Sequence, residues 1–324
     1  MRVLLVGAGA IGQVYGYHLQ QGGAQVAFLV KPAHVEWAGS GLTLYRLNQG
    51  KAPVDFTGYD LFTSPAQALT QPEPWDAVIL CVPTDALEKG PWLAELAQGL
   101  GSATLVTLQP GIEALSTIYK HVPKAQVVSG LITLVSYPAP LPNEQGFERE
   151  GTAYWFPPLA SCPFEGPGER VKPLVDCFKK GGFPASAGAD LASQSALGSA
   201  LLLCVITGLE GAGWSFSALR SDGAQLSNVC KSMGQAANVA FKHQGRSPPG
   251  LPGWVRPWML RMALAMAPRF VPFDLETYFR VHFTKVGSQM HGELDRLIAR
   301  AGELGVPNDS LASLRGRLPA PSPA

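Results

Sequence analysis

The stretch Met1-Arg2-Val3-Leu4-Leu5-Val6-Gly7-Ala8-Gly9-Ala10-Ile11-Gly12 decides the fold of the first half of the chain. A short apolar run breaks into a Gly-x-Gly-x-x-Gly pattern and continues into a helix-compatible segment, 13–21. A strand, a tight turn and a helix in this order are what a dinucleotide-binding loop requires. Gly7 is expected to allow the sharp turn, Gly9 to let the backbone approach a pyrophosphate, and Gly12 to let the helix pack on the strand.

The helix that follows this turn is expected to offer unpaired N–H groups and a partial positive charge to the phosphates. A glycine-rich turn that binds no ligand is the alternative. The residues predicted to form the cofactor turn are Gly7, Ala8, Gly9, Ala10, Ile11 and Gly12.

Length and composition indicate two well-buried domains and exclude several classes of protein. The chain has 324 residues, of which 46% are hydrophobic and 15% charged, and a net charge of +1. This balance gives no sign of a nucleic-acid-binding surface. The five cysteines are far apart and form no C-x-x-C pair, which predicts neither a metal site nor disulfides and favours the reducing cytoplasm. Only 197–216 approaches the length of a membrane span, and a buried core helix is the favoured interpretation because the segment contains Glu210 and four glycines.

The pattern of elements predicts an α/β protein. Continuous apolar strands alternate with helices as far as 126–131, which is typical of a parallel sheet covered on both faces. Segments 132–137 and 152–156 are expected to continue that sheet in a more antiparallel manner. Near Leu191 long helical periodicities replace the strands, the longest of them spanning 275–300. We therefore predict a Rossmann-like, doubly wound NADP-binding domain over residues 1–188 and an all-helical substrate and dimerisation domain over residues 189–324.

The residue after the second strand bears on the choice of cofactor. NAD-binding domains usually end this strand with a carboxylate that holds the ribose 2′-hydroxyl. Here the sequence is Phe28-Leu29-Val30-Lys31-Pro32-Ala33-His34, and a lysine suits a 2′-phosphate. The expected cofactor is therefore NADP (NADPH). The alternative is that Lys31 is a simple solvated residue that contacts no cofactor.

Taken together, several motifs resemble those of the ketopantoate reductase (2-dehydropantoate 2-reductase) family. They are the Gly7–Gly12 turn, Lys31-Pro32-Ala33-His34 and Gln109-Pro110-Gly111-Ile112-Glu113, with weaker matches in 203–209 and 305–308. The resemblance implies NADPH, a helical second domain and reduction of a 2-oxo acid by hydride transfer, which would place the protein in pantothenate biosynthesis. In the family, a lysine polarises and protonates the carbonyl oxygen and a glutamate orients the substrate.

Carried over residue by residue, the resemblance covers the cofactor half better than the catalytic half. Val82, Pro83, Gln109 and Pro110 fall on cofactor-contacting positions, although the family commonly has a lysine where Pro83 stands and an asparagine where Pro110 stands. The catalytic lysine position holds Ser199. Two asparagine positions hold Leu203 and Thr207, and the glutamate position falls on Val286 or Gly287. The sequence therefore predicts a divergent branch.

One helix face could carry replacement chemistry. On an ideal helix Ser199, Leu203, Thr207 and Glu210 lie within about 80° of one another. Glu210 stands in an apolar stretch, so burial is expected to raise its pKa and make it a proton donor. The alternative is that Glu210 pairs with an arginine, for instance Arg220, or reaches water.

A second polar row, Tyr278, His282, Lys285 and Gln289, follows the spacing i, i+4, i+7 and i+11, so these side chains share one narrow stripe of the helix predicted over 275–300. Its apolar neighbours suggest that this helix is largely covered. Lys285 is then a candidate for binding a substrate carboxylate or acting as the acid, with His282 as an alternative proton donor. A solvated polar face is the competing interpretation.

The leading hypothesis is an NADP-dependent oxidoreductase that transfers hydride to a small 2-oxo or related carbonyl compound, an oxo or hydroxy acid, in a cleft between domains. The expected assembly is a homodimer without nucleic acid, membrane or metal. The alternative is a catalytically silent NADP-binding sensor or scaffold on the same fold.

Overall fold

We describe the protein from a computed structural model, which describes residues 1–109, 112–247 and 255–318 except for the side chains of Ile112, Glu113 and Ser288. The chain divides into two compact units, Met1–Ala192 and Ser193–Ala324.

The first unit combines strands and helices. Its strands are β1 (Arg2–Val6), β2 (Gln25–Leu29), β3 (Leu42–Arg46), β4 (Pro53–Phe56), β5 (Asp60–Phe62), β6 (Ala77–Leu80), β7 (Thr104–Thr107), β8 (Val127–Gly130), β9 (Val135–Ala139), β10 (Gly151–Trp155), β11 (Cys162–Glu165) and β12 (Ala185–Ala187). Its helices are α1 (Ala10–Gln21), α2 (Val35–Gly39), α3 (Pro65–Leu69), α4 (Trp92–Gln98), α5 (Ile112–Tyr119) and α6 (Gly168–Lys180).

The main sheet confirms the predicted fold class. In the described residues it has eight strands in the order β12-β11-β8-β7-β6-β1-β2-β5. All its pairings are parallel except that of β11 with β8. Along β1, Val3 and Leu5 enter one core cluster and Leu4 and Val6 enter another, so the strand is buried on both faces. This explains the continuous apolar run at the start of the chain.

The expectation for β9 and β10 was wrong. These strands do not continue the main sheet but belong to a second, four-stranded sheet in the order β4-β3-β10-β9. The physical reason lies in α1, which is buried on nearly all sides from Gly12 to Leu19. Such a helix needs apolar cover on two faces. Leu44 and Tyr154 of the second sheet join the same core cluster as Tyr15 of α1. The second sheet thus packs on α1.

Helices α1 and α6 meet at their C-terminal ends with backbone almost touching backbone. A Cβ placed on Gly181 would lie 1.8 Å from the carbonyl oxygen of His18, and one placed on Gly22 would lie 2.1 Å from that of Cys177. Real carbon atoms do not approach oxygen so closely, so both positions require glycine in this packing. The imidazole of His18 reinforces the contact, with Nδ1 at 2.7 Å from the carbonyl oxygen of Gly181.

The second unit is helical throughout its described part, in agreement with the prediction. Helix α7 (Leu191–Gly211) leads into it, followed by α8 (Phe216–Ser221), α9 (Gly223–His243), α10 (Pro257–Phe270), α11 (Leu275–Lys285), α12 (Gly287–Glu303) and α13 (Asp309–Arg315).

Helix α7 is the one described helix that is long and apolar enough to cross a membrane. Its most apolar window has a mean hydropathy of 1.6 and is 44% buried. Core helices of water-soluble proteins have the same length and composition. The helix alone is therefore weak evidence for a membrane span.

The single helix expected over 275–300 was also wrong. The chain leaves helical geometry at Val286, where φ is −112° and ψ is 17°, and α12 begins at Gly287. Valine and glycine are both poor helix formers, so the interruption falls where the helix is intrinsically weakest. Gln289 consequently lies on a different helix from Tyr278, His282 and Lys285.

Candidate functional site

The turn between β1 and α1 has the backbone geometry that its glycines predict. Gly7 has φ of +102°, a conformation that side-chain-bearing residues rarely adopt, and its N–H donates to the carbonyl oxygen of Leu29 at 2.9 Å. A Cβ placed on Gly12 would lie only 2.1 Å from the carbonyl oxygen of Gly7. Helix α1 therefore packs against the turn so closely that only glycine fits at position 12.

Gly9 differs from these two glycines because nothing in the described protein restricts it. A Cβ placed there meets no atom within 4 Å, and Gly9 is exposed. It is the N-cap of α1, with no side chain capping the helix and no acidic residue in the first turn. The first-turn N–H groups of a helix have no partner within the helix. The turn thus presents free donors and open space, which suit the phosphates of a dinucleotide.

Gln13 holds this turn in place, and sequence analysis missed it. Its side chain is 4% exposed. Its amide Nε2 donates to the carbonyl oxygen of Ala8 at 2.9 Å, and its Oε1 accepts from the hydroxyl of Thr152 at 2.7 Å. One buried amide thus ties the turn to the second sheet. The polar residue at the buried start of α1 was the available signal, but Thr152 is 139 positions away.

Gln109 performs a similar task at the carboxyl ends of β6 and β7. Its Nε2 donates to the carbonyl oxygens of Leu80 and Val82 at 3.0 and 2.7 Å, and its Oε1 accepts from the Thr107 hydroxyl at 2.6 Å. The amide is therefore engaged within the protein. Its described contacts fix the position of Val82, which lies within 3.3 Å of the Cβ position at Gly7.

The other described residues predicted to contact the cofactor through their side chains, Pro83 and Lys31, are both exposed. Pro83 is exposed and precedes a 3-10 turn that spans Thr84–Glu88. Lys31 is exposed two residues after the end of β2, and its ammonium has no ion-pair partner among the described residues. Pro110 lies outside the described residues. All the predicted cofactor contacts stay predictions.

In the second unit, the helix face proposed to carry chemistry is only partly polar. Ser199 is exposed, whereas Thr207 is 4% exposed and its hydroxyl donates to the carbonyl oxygen of Leu203 at 2.8 Å. Such a bond within the helix occupies the only donor of the hydroxyl. Thr207 can still accept a hydrogen bond, but it has no proton free to donate in this rotamer.

Glu210 has a partner different from the arginine named as its alternative. Its two carboxylate oxygens each lie 3.0 Å from Nε2 of His291, a histidine of α12. The side chains of Glu210 and His291 are only 15% and 11% exposed. Arg220 was therefore the wrong partner. Nδ1 of His291 is buried without a hydrogen-bond partner in the described protein, so the pair retains one unused polar atom.

Lys285 and His282 lie on α11, which is less covered than expected. Both residues are exposed, as is Val281, so the prediction of a largely covered helix was wrong for this chain. The ring of His282 stacks on that of Tyr278, with centroids 5.3 Å apart. The pKa of His282 is lowered, first by desolvation among its aromatic neighbours and then by the charge of Lys285.

Metal chemistry has no visible basis in the described ranges. They contain no group of three or more histidine, cysteine, aspartate or glutamate side chains arranged to hold a metal ion.

A parallel sheet whose first strand runs through a glycine turn into a buried helix defines a Rossmann-type domain, the class of fold that binds dinucleotides. Residues 3–140 match the family model of ketopantoate reductase PanE/ApbA.

Solved structures similar to the whole chain have the same two-part fold. A PanE/ApbA family ketopantoate reductase from Ralstonia eutropha JMP134 is 18% identical, with a TM-score of 0.70 over 98% of this chain and 96% of that one. A 2-dehydropantoate 2-reductase from Geobacter metallireducens GS-15 is 19% identical, with a TM-score of 0.68 over 98% and 99%. D-mandelate dehydrogenase, solved with NADH and anilino(oxo)acetate, is 17% identical, with a TM-score of 0.70 over 98% and 96%. At such identities the likeness establishes the fold. No curated protein sequence is significantly similar to this chain.

Proposed function

We propose that the chain is an NADP-dependent oxidoreductase that transfers hydride to a small 2-oxo or related carbonyl compound. The observation that carries the proposal is the turn at Gly7, Gly9 and Gly12, which is tight where helix and strand meet and open where a pyrophosphate would lie. The match of residues 3–140 to the ketopantoate reductase family supports the same class of enzyme.

The described residues fit a nicotinamide dinucleotide. The free N–H groups at the start of α1 would hold the pyrophosphate, and Lys31 would hold the phosphate on the adenosine ribose. When bound, the cofactor supplies the hydride, while the protein contributes binding, orientation and a proton. Gln13 and Gln109 keep the turn and the neighbouring strand ends in position for this task.

The preference for NADPH depends on Lys31 and can be tested directly. We expect Lys31→Asp to weaken NADPH binding at least tenfold and to leave NADH binding unchanged or stronger, because a carboxylate repels the 2′-phosphate and accepts from a 2′-hydroxyl. Lys120→Asp, at an exposed lysine of the same unit, is the control. If Lys31→Asp weakens the binding of NADPH and NADH equally, Lys31 does not contact the 2′ position of the adenosine ribose. NADH is the competing cofactor, since the similar D-mandelate dehydrogenase was solved with it.

A 2-oxo acid is the substrate class we propose. The structure of D-mandelate dehydrogenase contains anilino(oxo)acetate, and the family is named for ketopantoate. Lys285 is our candidate for the cation or acid, ahead of His282, because the lowered pKa of His282 disfavours a positive charge on its ring. We expect Lys285→Ala to reduce turnover at least tenfold with NADPH affinity nearly unchanged. Lys231→Ala, on an exposed position of α9, serves as control. Unchanged turnover in Lys285→Ala would remove Lys285 from the site.

A catalytically silent NADP-binding protein is the second candidate. It is favoured by the α7 face, where the exposed Ser199, the apolar Leu203 and the internally bonded Thr207 offer no acid. Tight NADPH binding without oxidation in the presence of any member of a 2-oxo acid panel would support this alternative. Turnover of one member would exclude it.

A further inference from the structure

A cavity of about 330 Å³ opens on the first unit, between the C-terminal half of α1, the second sheet and the end of α6. Its volume lies within the range of small-molecule sites. His18 and Tyr154 form its buried floor, whereas Gln21, Gln49 and Lys180 lie exposed at its rim. The cavity therefore combines a buried floor with access from solvent.

The floor carries polar atoms that the protein does not satisfy. His18 is 1% exposed, and its Nε2 is buried without a hydrogen-bond partner among the described residues. Because Nδ1 lies 2.7 Å from the carbonyl oxygen of Gly181, an acceptor, Nδ1 must carry the proton. In the neutral ring Nε2 is then an unused acceptor. The buried Nε of Arg46 is an unused donor beside it.

The charges of the cavity have one sign. Arg46 and Lys180 line it, and none of the described lining residues bears a carboxylate. The guanidinium of Arg46 lies over the ring of Phe156, 5.5 Å from its centroid, which orients the group. It is also close enough to His18 to contribute to lowering the pKa of this residue to about 4, although desolvation is the larger cause. An unpaired acceptor next to unpaired cationic donors is complementary to a ligand that has both an anionic group and a hydroxyl.

The cavity is separate from the dinucleotide turn. His18 stands eight residues after Ala10, the first residue of α1. At 1.5 Å per residue, the two positions are about 12 Å apart along the helix. None of the residues lining the cavity belongs to the turn.

We propose that this cavity is a second ligand site, which binds a small hydroxylated anion through Arg46 and Lys180 and accepts a hydrogen bond from its hydroxyl at Nε2 of His18. A phosphate monoester and a hydroxycarboxylate share this chemistry. The site is independent of the proposed hydride transfer, because it uses no residue assigned to cofactor or substrate.

Calorimetric titration of the full chain, saturated with NADPH, tests the proposal with glycerol 3-phosphate and with citrate as probes. We expect one of the two to bind, glycerol not to bind, and sulfate to bind at least tenfold more weakly than the preferred probe. Arg46→Gln and Lys180→Gln should each weaken binding at least fivefold. Lys179→Gln, the matched control on the neighbouring exposed lysine of α6, should not change it. The Nε2 signal of His18 in nitrogen NMR should shift on binding.

Three results would overturn the proposal. The first is that neither probe binds to folded protein. The second is that Lys179→Gln weakens binding as much as Lys180→Gln, which would indicate a diffuse surface charge. The third is that binding persists in Arg46→Gln with the His18 signal unmoved, which would place the anion elsewhere. Preference for glycerol 3-phosphate or for citrate decides between the two sources of the anion.

Discussion

In the glycine turn, stability and ligand binding depend on different glycines. Substitutions at these glycines should therefore change one property without the other. A Cβ on Gly12 would lie 2.1 Å from the carbonyl oxygen of Gly7, so Gly12→Ala forces α1 and the turn apart by more than 1 Å. Overpacking of this kind costs about 3 kcal/mol at the upper end of its usual range. The better helix propensity of alanine returns about 1 kcal/mol. The net loss of about 2 kcal/mol corresponds to a fall in Tm of roughly 4–8 °C for a unit of this size.

Gly9→Ala should behave in the opposite way. The new methyl group meets no protein atom within 4 Å, and φ at this position is −67°, which alanine adopts without strain. The reduced entropy of the unfolded chain stabilises by roughly 0.4–1 kcal/mol, and the poorer helix N-cap offsets about the same amount. Stability should therefore change by less than about 0.5 kcal/mol. The methyl group instead occupies the space open to a pyrophosphate, so NADPH affinity should fall at least tenfold, or about 1.4 kcal/mol.

The assay is a pair of measurements on both variants, Tm by calorimetry and Kd for NADPH by fluorescence. If Gly12→Ala has the same Tm as the wild-type protein, α1 and the turn are not packed as tightly as the 2.1 Å approach requires. The assignment of the turn to a pyrophosphate is refuted if Gly9→Ala is stable and binds NADPH as tightly as the wild type.

Three further predictions concern residues that hold the first unit together. Gly181→Ala, whose Cβ would lie 1.8 Å from the carbonyl oxygen of His18, should destabilise by about 2–3 kcal/mol in urea unfolding; an unchanged midpoint would show that α1 and α6 separate easily. Gln109→Leu, which leaves two carbonyl oxygens without donors, should cost about 2 kcal/mol in the same measurement, and a neutral result would mean that water replaces the amide. Because the pKa of His18 is lowered to about 4 from its ordinary 6.5, the unfolded chain takes up this proton first as the pH falls. Stability should therefore drop by about 3 kcal/mol between pH 6.5 and 4, and His18→Gln should lose this part of the pH dependence; an identical pH profile in the variant would exclude His18 as its source.

The main sheet could be predicted from the sequence because its strands are buried on both faces. Val3 and Leu4 belong to different core clusters, so the strand is apolar without interruption and is recognisable from the sequence alone. Helix α6 was not predicted, since Pro173 stands inside it and proline ordinarily ends a helix. The second sheet was mistaken for an extension of the first because strand periodicity reveals which residues are buried, not which neighbour covers them.

The candidate site could likewise be predicted only where its features are local in sequence. The glycine turn is local, so the spacing of three residues was enough to predict it. The contact of Gln13 with Thr152 spans 139 positions, and that of Glu210 with His291 spans 81. No local pattern encodes such a pairing, and each partner alone is an ordinary polar residue on a helix. The break at Val286 was missed because one residue outside helical geometry leaves the periodicity on either side nearly intact.

The two-sided cover of α1 has a consequence for the dynamics of the protein. A helix that lies beneath one sheet and above another has no route by which its amides can meet solvent while either layer remains in place. Its N–H groups beyond the first turn should exchange with deuterium only when the first unit opens globally, together with those of β1. The donors at the start of α1 would then be presented by one of the most slowly exchanging segments in the chain, so a nucleotide arriving there would meet a surface that is already in its final form.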